Sequence, residues 1–408
     1  YIIPPDTAFD KLYITEQSSI MKISKGNIIL NQKYYKFPKI EMHKGNPKQL
    51  DFKDIKLIKN KIIECVESRM HSDVNKGIFL SSGIDSSLVA SIMKKELNLK
   101  PVALTISYNK YKSYDESEAA RKIAKYLNID HIIEEDSKSN FNYSIKEIFE
   151  GFNLLNDNIS LISIKNISNI AKKYFKVAIS GNGGDEMFYG YGKHIFFYKY
   201  QKYIKNKLLK LFKDFFNNRD YNFQKLDIFA KLLNYKDYNQ ILLLNNYPFF
   251  NNSKSDEEFY LFDDTINDEQ DSFQNFRDFN INYNLPNSII YSNEIGSMNN
   301  SVELRSPLLS REILELISSY DYRSIMKMGR KGVLIKILED YLPKDLISSS
   351  KKGFISPIDN LLSTTPFGDA QSKRFINFSK NNYNWKKLIL RKKIYEYFKD
   401  NYSWKIIY

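Results

Sequence analysis

Cysteine is almost absent: Cys65 is the single example in 408 residues. One thiol excludes a disulfide framework and a cysteine-based zinc site within one chain. The four histidines are scattered, which argues against a histidine-rich metal centre. No apolar run approaches the roughly 20 residues that a membrane span needs, and no signal-peptide pattern opens the chain. A cytoplasmic protein without a membrane partner is therefore expected. The lysine-bearing phosphate loop of many NTPases is missing too, as is any internal repeat. Acidic residues are the minority, 48 against 61 Lys and Arg, for a formal net charge of +13. Such an excess would suit a polyanion. The lysines, however, run along the whole chain among Asn, Tyr, Ile and Phe, with no compact basic cluster and interleaved aromatics. Nucleic acid is not the expected partner.

What is present first is a short β unit. Residues 19–24 and 27–30 flank Lys25-Gly26-Asn27, a hairpin turn pattern. A unit of that size buries little surface and reads as the end of something larger. Residues 41–50 are a polar linker with Gly45 and Pro47. A helix is predicted over 51–72, with Ile55, Leu57, Ile58, Ile62, Ile63 and Val66 as its apolar positions. From residue 77 strands and helices alternate: strands near 78–80, 102–106, 131–133 and 176–179, helices near 115–127 and 159–174. On the 115–127 stretch Ala119, Ala120, Ile123, Ala124 and Leu127 are expected to face inward. This alternation predicts an α/β fold with a parallel sheet flanked by helices. Helices are expected again near 288–299, 311–320 and 331–341.

The stretch Gly77-Ile78-Phe79-Leu80-Ser81-Ser82-Gly83-Ile84-Asp85-Ser86-Ser87-Leu88-Val89 reads as strand, tight loop and helix start. Unpaired N–H groups and the positive end of the helix dipole then converge at the turn, an anion site. Ser81, Ser82, Ser86 and Ser87 add hydroxyls, and Gly83 lets a phosphate approach the backbone. A carboxylate at Asp85 beside a phosphate makes sense if a Mg²⁺ is shared. Ser and Asp also cap helices, and the loop by itself leaves both readings open. A second constellation, Ser180-Gly181-Asn182-Gly183-Gly184-Asp185-Glu186-Met187-Phe188-Tyr189-Gly190-Tyr191, follows the fourth strand. Its acids also suit the dipole at a helix start. In open α/β sheets ligands bind beyond the C-terminal strand ends, so the two loops and Ser107 can share one crevice.

Ser82-Gly83-Ile84-Asp85-Ser86 resembles the pyrophosphate loop of ATP pyrophosphatases. The stretch from Ser180 to Tyr191 resembles the second signature of the synthetase domain of glutamine-dependent asparagine synthetases. Tyr114-Asp115-Glu116, Ser297-Met298, Val302-Glu303-Leu304-Arg305-Ser306-Pro307-Leu308-Leu309 and Lys351-Lys352-Gly353-Phe354 with Pro357 look like that family too, in the family's order. The resemblance implies an adenine nucleotide alpha hydrolase-like, Rossmann-like domain over 50–360. A β remnant of a glutaminase domain at 1–40 precedes it, and a helical extension at 361–408 follows. It implies ATP and Mg²⁺ as cofactors, adenylation of a carboxylate such as aspartate, release of pyrophosphate, and displacement of AMP by ammonia. By similarity Ser81, Ser82, Gly83, Asp85 and Ser86 hold pyrophosphate. Asp85 and Asp185 hold Mg²⁺, and Leu80, Ile106 and Gly181 line the adenine and ribose pocket. Lys351 contacts the α-phosphate; without the motif it would read as a solvated lysine. Glu303, Arg305, Gly184 and Glu186 belong to the substrate side, with a buried Glu303–Arg305 ion pair as the alternative.

The chain departs from the family pattern at three positions. Asn182 stands where the family usually places an acid that assists proton removal, Glu294 where many members have Asp, and Ser310 after the Pro-x-Leu segment where Asp is usual. Asparagine is a poor general base, so Glu294 or Glu186 is expected to compensate. The nucleophilic cysteine of a glutaminase half is not in the chain. It is thus expected to be a fragment of a full enzyme, or to draw ammonia from solution or a separate glutaminase. A homodimer is allowed for. The competing readings are a relative acting on another acceptor, a tRNA-modifying ATP pyrophosphatase, and a non-catalytic nucleotide-binding scaffold.

Overall fold

The computed structural model describes residues 5, 11–43, 45–108, 112, 115–135, 158, 160–204 and 271–347. The expected helical extension over 361–408 lies outside them. The first two strands, β1 (Ser19–Ser24) and β2 (Asn27–Lys33), form an antiparallel hairpin. They are joined through Lys25 and Gly26, both at positive φ, as a two-residue hairpin turn requires. Its side chains are almost all exposed, Ile23 and Ile28 included, so the hairpin has no core of its own.

The larger of two compact units, residues 1–188 with 283–408, carries the sheet. Strands β3 (Lys76–Phe79), β4 (Val102–Ser107), β5 (Asp130–Glu135), β6 (Val177–Ile179) and β7 (Glu303–Arg305) lie in the order β5-β4-β3-β6-β7, all parallel. The chain lays strands outward on one side of β3 and then returns to place β6 on the other. That reversal opens a crevice at the C-terminal ends of β3 and β6, the place where such sheets bind ligands. Strand β7 departs from expectation. Its sequence Glu-Leu-Arg has no apolar run to mark it, and it is a strand because β6 supplies the partner edge.

Around the sheet stand α1 (Phe52–Ser68), α2 (Ile84–Lys95), α3 (Ser117–Leu127), α4 (Ser160–Ala171) and the single turn α5 (Gly184–Met187). Asp51 caps α1 with a capping box, its carboxylate accepting from Asp54 N and Asp54 accepting from Asp51 N, both at 3.0 Å. Ala119 is exposed, against the inward face expected for it, and of the apolar positions of α1 Leu57 is exposed. Helix α2 is buried from Ser86 to Met93 on every side rather than on one face. Phe79, Leu104, Ile106, Tyr108, Ile167, Ala171, Phe175, Ala178 and Val302 form one core cluster under α4. Each large side chain there contributes about 1.5–3 kcal/mol by burial. No helix among the described residues is long and apolar enough to cross a membrane.

Residues 189–282 form the second unit, a division that the sequence reading does not draw. Within it α6 (Gly192–Ile204) and α7 (Ser272–Phe279) meet at Phe197 and Phe276, whose centroids are 4.6 Å apart, and Tyr189, just before α6, lies 5.0 Å from Phe273. His194 is enclosed by Tyr189, Tyr191, Phe273 and Phe276, and its Nδ1 accepts from Tyr191 N at 3.3 Å. Burial, with smaller contributions from Lys193 and Arg277, pushes its pKa down to about 3. The unfolded chain binds this proton near pH 6.5, so stability is complete above that pH and is lost as pH falls toward 3. The slope is about 1.4 kcal/mol per pH unit. In an NMR titration of the ring resonances, His194 is expected to stay neutral down to pH 4. Ordinary titration near 6.5 would show that the enclosure opens.

The chain returns to the larger unit with α8 (Tyr291–Met298), α9 (Arg311–Ser318), α10 (Tyr322–Lys327) and α11 (Gly332–Leu338). Gly296 lets α8 lie against Leu161 and Ile164 of α4. Helix α11 packs on α2, and its Val333, Leu334, Ile337 and Leu338 are buried. It is pinned at its far end by Tyr341 Oη donating to Glu96 at 2.5 Å and by Lys59 Nζ at 2.9 Å from Asp340.

Candidate active site

The loop after β3 is closed by Ser86. Its Oγ accepts from Ser81 N at 3.1 Å and lies 2.9 Å from Ser81 Oγ, which in turn accepts from Gly83 N at 3.1 Å. Gly83 is the N-cap of α2 and brings no side chain to the helix start. The first amides of α2 are therefore left for an anion. Ser87 Oγ is buried with no hydrogen-bond partner among the described residues. Leu80, just before the loop, is buried, and so is Ser82. Ile106 belongs to the core cluster.

The loop after β6 comes to meet it. A Cβ at Gly181 would overlap Ser86 N and the Asp85 carbonyl carbon, and a Cβ at Gly184 would overlap the Asp85 carboxylate. Two segments a hundred residues apart thus touch backbone to backbone, and only glycine permits it. Ser180 N donates to Arg305 O at 2.9 Å, and the Ser180 and Ser306 hydroxyls are 3.0 Å apart, which ties the end of β6 to the end of β7. Asp185 and Glu186 are buried on α5. Asn182 is half-buried, and its Nδ2 has no hydrogen-bond partner among the described residues.

Lys331 joins the two carboxylates. Its Nζ lies 2.5 Å from Asp85 Oδ2 and 2.9 Å from Asp185 Oδ1, and the residue is 4% exposed. It is the N-cap of α11 in the left-handed region, φ +51, a conformation that costs a non-glycine residue about 1–2 kcal/mol. Sequence reasoning missed it, since Arg330-Lys331 looks like a solvated basic pair. One signal was available: a cation at the start of an apolar helix opposes the helix dipole, so it requires negative charge nearby.

These residues suit a Mg²⁺ ion. The donors are all oxygen, they come from two adjoining loops, and Asp85 Oδ1 is buried without a hydrogen-bond partner among the described residues. No group of three or more His, Cys, Asp or Glu gathers among the described residues.

Other expected positions have contacts of their own. Glu294 is exposed on α8. Arg305 forms a two-pronged pair with Glu303, at 2.7 and 3.0 Å, and its remaining nitrogen donates to the Arg69 and His71 carbonyls. Through its hydrogen bonds the guanidinium holds the Glu303 carboxyl below its usual range. Glu303 is exposed, so this is a surface pair bracing the segment before β3, and the expected buried pair is corrected to that extent. Ser310 is buried and donates to Pro307 O at 2.6 Å. Asp115 Oδ1 accepts from Ser117 N at 3.0 Å at the start of α3. Lys351, with Tyr114, Phe354 and Pro357, lies outside the described residues.

Residues 57–377 match the family model described as asparagine synthase. The chain is 32% identical over 152 residues to glutamine-hydrolyzing asparagine synthetase 1 of Bacillus subtilis, covering 36% of this chain and 24% of that protein. It is 30% identical over 141 residues to a putative asparagine synthetase 2 of Methanocaldococcus jannaschii, covering 34% and 26%. Against the amidase chyE of Penicillium rubens it is 29% identical over 154 residues, covering 33% and 22%. The matches thus span about a quarter of the length of these relatives. With the family match extending over most of its length and two carboxylate loops meeting at the sheet's switch point, this chain belongs to the asparagine synthase family.

Proposed function

We propose that the chain is an ATP-dependent amidoligase that adenylates a carboxylate, with aspartate the leading acceptor, and transfers ammonia to give an amide. The observation that carries this reading is the junction of the 81–86 loop with Gly181, Asp185 and Lys331. It brings helix-start amides, hydroxyls, two carboxylates and one cation together at the ends of β3 and β6. In the first step a carboxylate oxygen attacks the α-phosphorus of ATP, the α–β phosphoanhydride bond breaks, and pyrophosphate leaves. The amides of α2 with Ser81 and Ser86 bind the departing pyrophosphate, and Lys331 neutralises charge that builds on it. Asp85 and Asp185 would hold Mg²⁺, which when bound supplies further charge neutralisation on the phosphates. Lys351 takes the α-phosphate by family resemblance. In the second step ammonia attacks the acyl carbon, AMP leaves, and a proton is lost from nitrogen. Glu186 or Glu294 accepts that proton in this reading, because Asn182 cannot. Ammonia comes from solution or from a glutaminase.

The test is formation of AMP and pyrophosphate from ATP and MgCl₂ with ammonium chloride and aspartate. AMP that requires both aspartate and ammonia, with asparagine formed, supports the proposal. AMP with another carboxylate only would move the chain to a different acceptor, a reading that Asn182, Glu294 and Ser310 favour. ATP binding without AMP under any acceptor would overturn the enzyme. Asn182→Asp is expected to raise turnover where compensation is partial; unchanged turnover would remove that side chain from the proton path.

A further inference from the structure

The register of β3 with β4 ends at Phe79 opposite Leu104, and Leu80 N makes one more ladder bond to Leu104 O at 3.0 Å. Beyond it the Leu80 carbonyl, the last before the 81–86 loop, is taken by a side chain. The Thr105 hydroxyl donates to it at 2.6 Å in a buried contact. That hydroxyl has one proton, so its second contact, 2.8 Å to His131 Nε2, must be a bond that the imidazole donates. The ring is thereby held as the Nε2–H tautomer. Burial, with a lesser contribution from Arg121, keeps its pKa below the ordinary value, consistent with a neutral ring. The chain of bonds runs from the edge strand β5 across β4 to the end of β3. Thr105 and His131 direct these bonds at Leu80 and at each other.

We infer that His131 and Thr105 are positioning residues that clamp the Leu80 carbonyl and so set the direction in which the 81–86 loop leaves β3. The physical need is specific. A strand that must turn away from its neighbour to open a crevice loses its ladder partner at the turn, and a buried carbonyl left bare is costly. A threonine hydroxyl satisfies that carbonyl at a fixed angle without continuing the ladder, and the imidazole fixes the hydroxyl's own rotation. That the loop so aimed receives ATP rests on the function proposed above; the aiming itself does not.

The test is amide hydrogen exchange over residues 80–87 in the nucleotide-free protein, followed by ATP titration with MgCl₂. Thr105→Val and His131→Phe are expected to speed exchange in this segment and to weaken ATP binding about three- to tenfold, the effect of one hydrogen bond. Thr105→Ser keeps the hydroxyl, and His131→Gln keeps a donor near the Nε2 position; both are expected to restore wild-type values. Unchanged loop exchange in both disruptive variants would overturn the inference, as would equal losses in the conservative pair. Faster exchange in a protein whose wild type binds no ATP would leave the clamp standing and overturn the proposed function instead.

Discussion

Lys331→Met is expected to lower the unfolding free energy by about 3 kcal/mol and to abolish ATP turnover. The ammonium is nearly enclosed and lies within ion-pair distance of both Asp85 and Asp185. Its removal leaves two largely buried carboxylates on adjoining loops without their shared cation. Breaking a buried pair by deleting one partner typically costs about 3–5 kcal/mol, and the residual exposure of the two acids places the effect at the lower end. Urea denaturation reads the loss directly. Millimolar MgCl₂ without nucleotide is expected to recover part of it in the variant, because two orphaned carboxylates become a better divalent site, and to change the wild type little. Lys331→Arg should fall between, since a planar fork cannot reproduce a point charge between two acids. A methionine variant as stable as wild type would mean that the junction is solvated and that Lys331 does not organise it.

Gly181→Ala is expected to destabilise the fold by about 2–3 kcal/mol and to remove ATP binding. The added methyl would overlap the Ser86 amide and the Asp85 carbonyl carbon. Both are backbone, so neither can rotate away, and the loops after β3 and β6 must separate. Gly184→Ala offers the comparison. Its methyl would meet the Asp85 carboxylate, a side chain that can turn but is held by Lys331, so the smaller loss of stability is expected there. Thermal unfolding and ATP titration of the two variants distinguish these effects. Full ATP affinity in Gly181→Ala would show that the two loops do not need their contact.

Much of the architecture is legible locally. Ile78 and Phe79 lead into a serine- and glycine-rich turn and a helix, and β4, β5 and β6 are predicted to within one or two residues at most ends, because each is an apolar run bounded by polar residues. The same rule fails at β7, whose sequence is charged and three residues long. It fails again at Ala119, which sits one position off the buried stripe of α3. The second unit escapes too, since aromatic richness marks a core without saying which residues share it. Ser81, Asp85, Ser86 and Asp185 are visible because hydroxyls, small residues and a carboxylate recur at the ends of two apolar runs, each just before a helix start.

The sequence by itself determined the alternating fold, the two loops and the family. It also determined where hydroxyls, glycines and carboxylates gather beside a helix start, since these properties reside in residue types and local spacing. Tertiary structure alone decided that the loops touch through Gly181 and Gly184, that Lys331 stands between their acids, that Arg305 braces the segment before β3, and that Thr105 and His131 hold Leu80. Each of those depends on distance between residues remote in the chain. Burial and charge act through space, so a lysine that reads as a surface residue becomes the centre of a buried ion pair once the sheet brings its partners together.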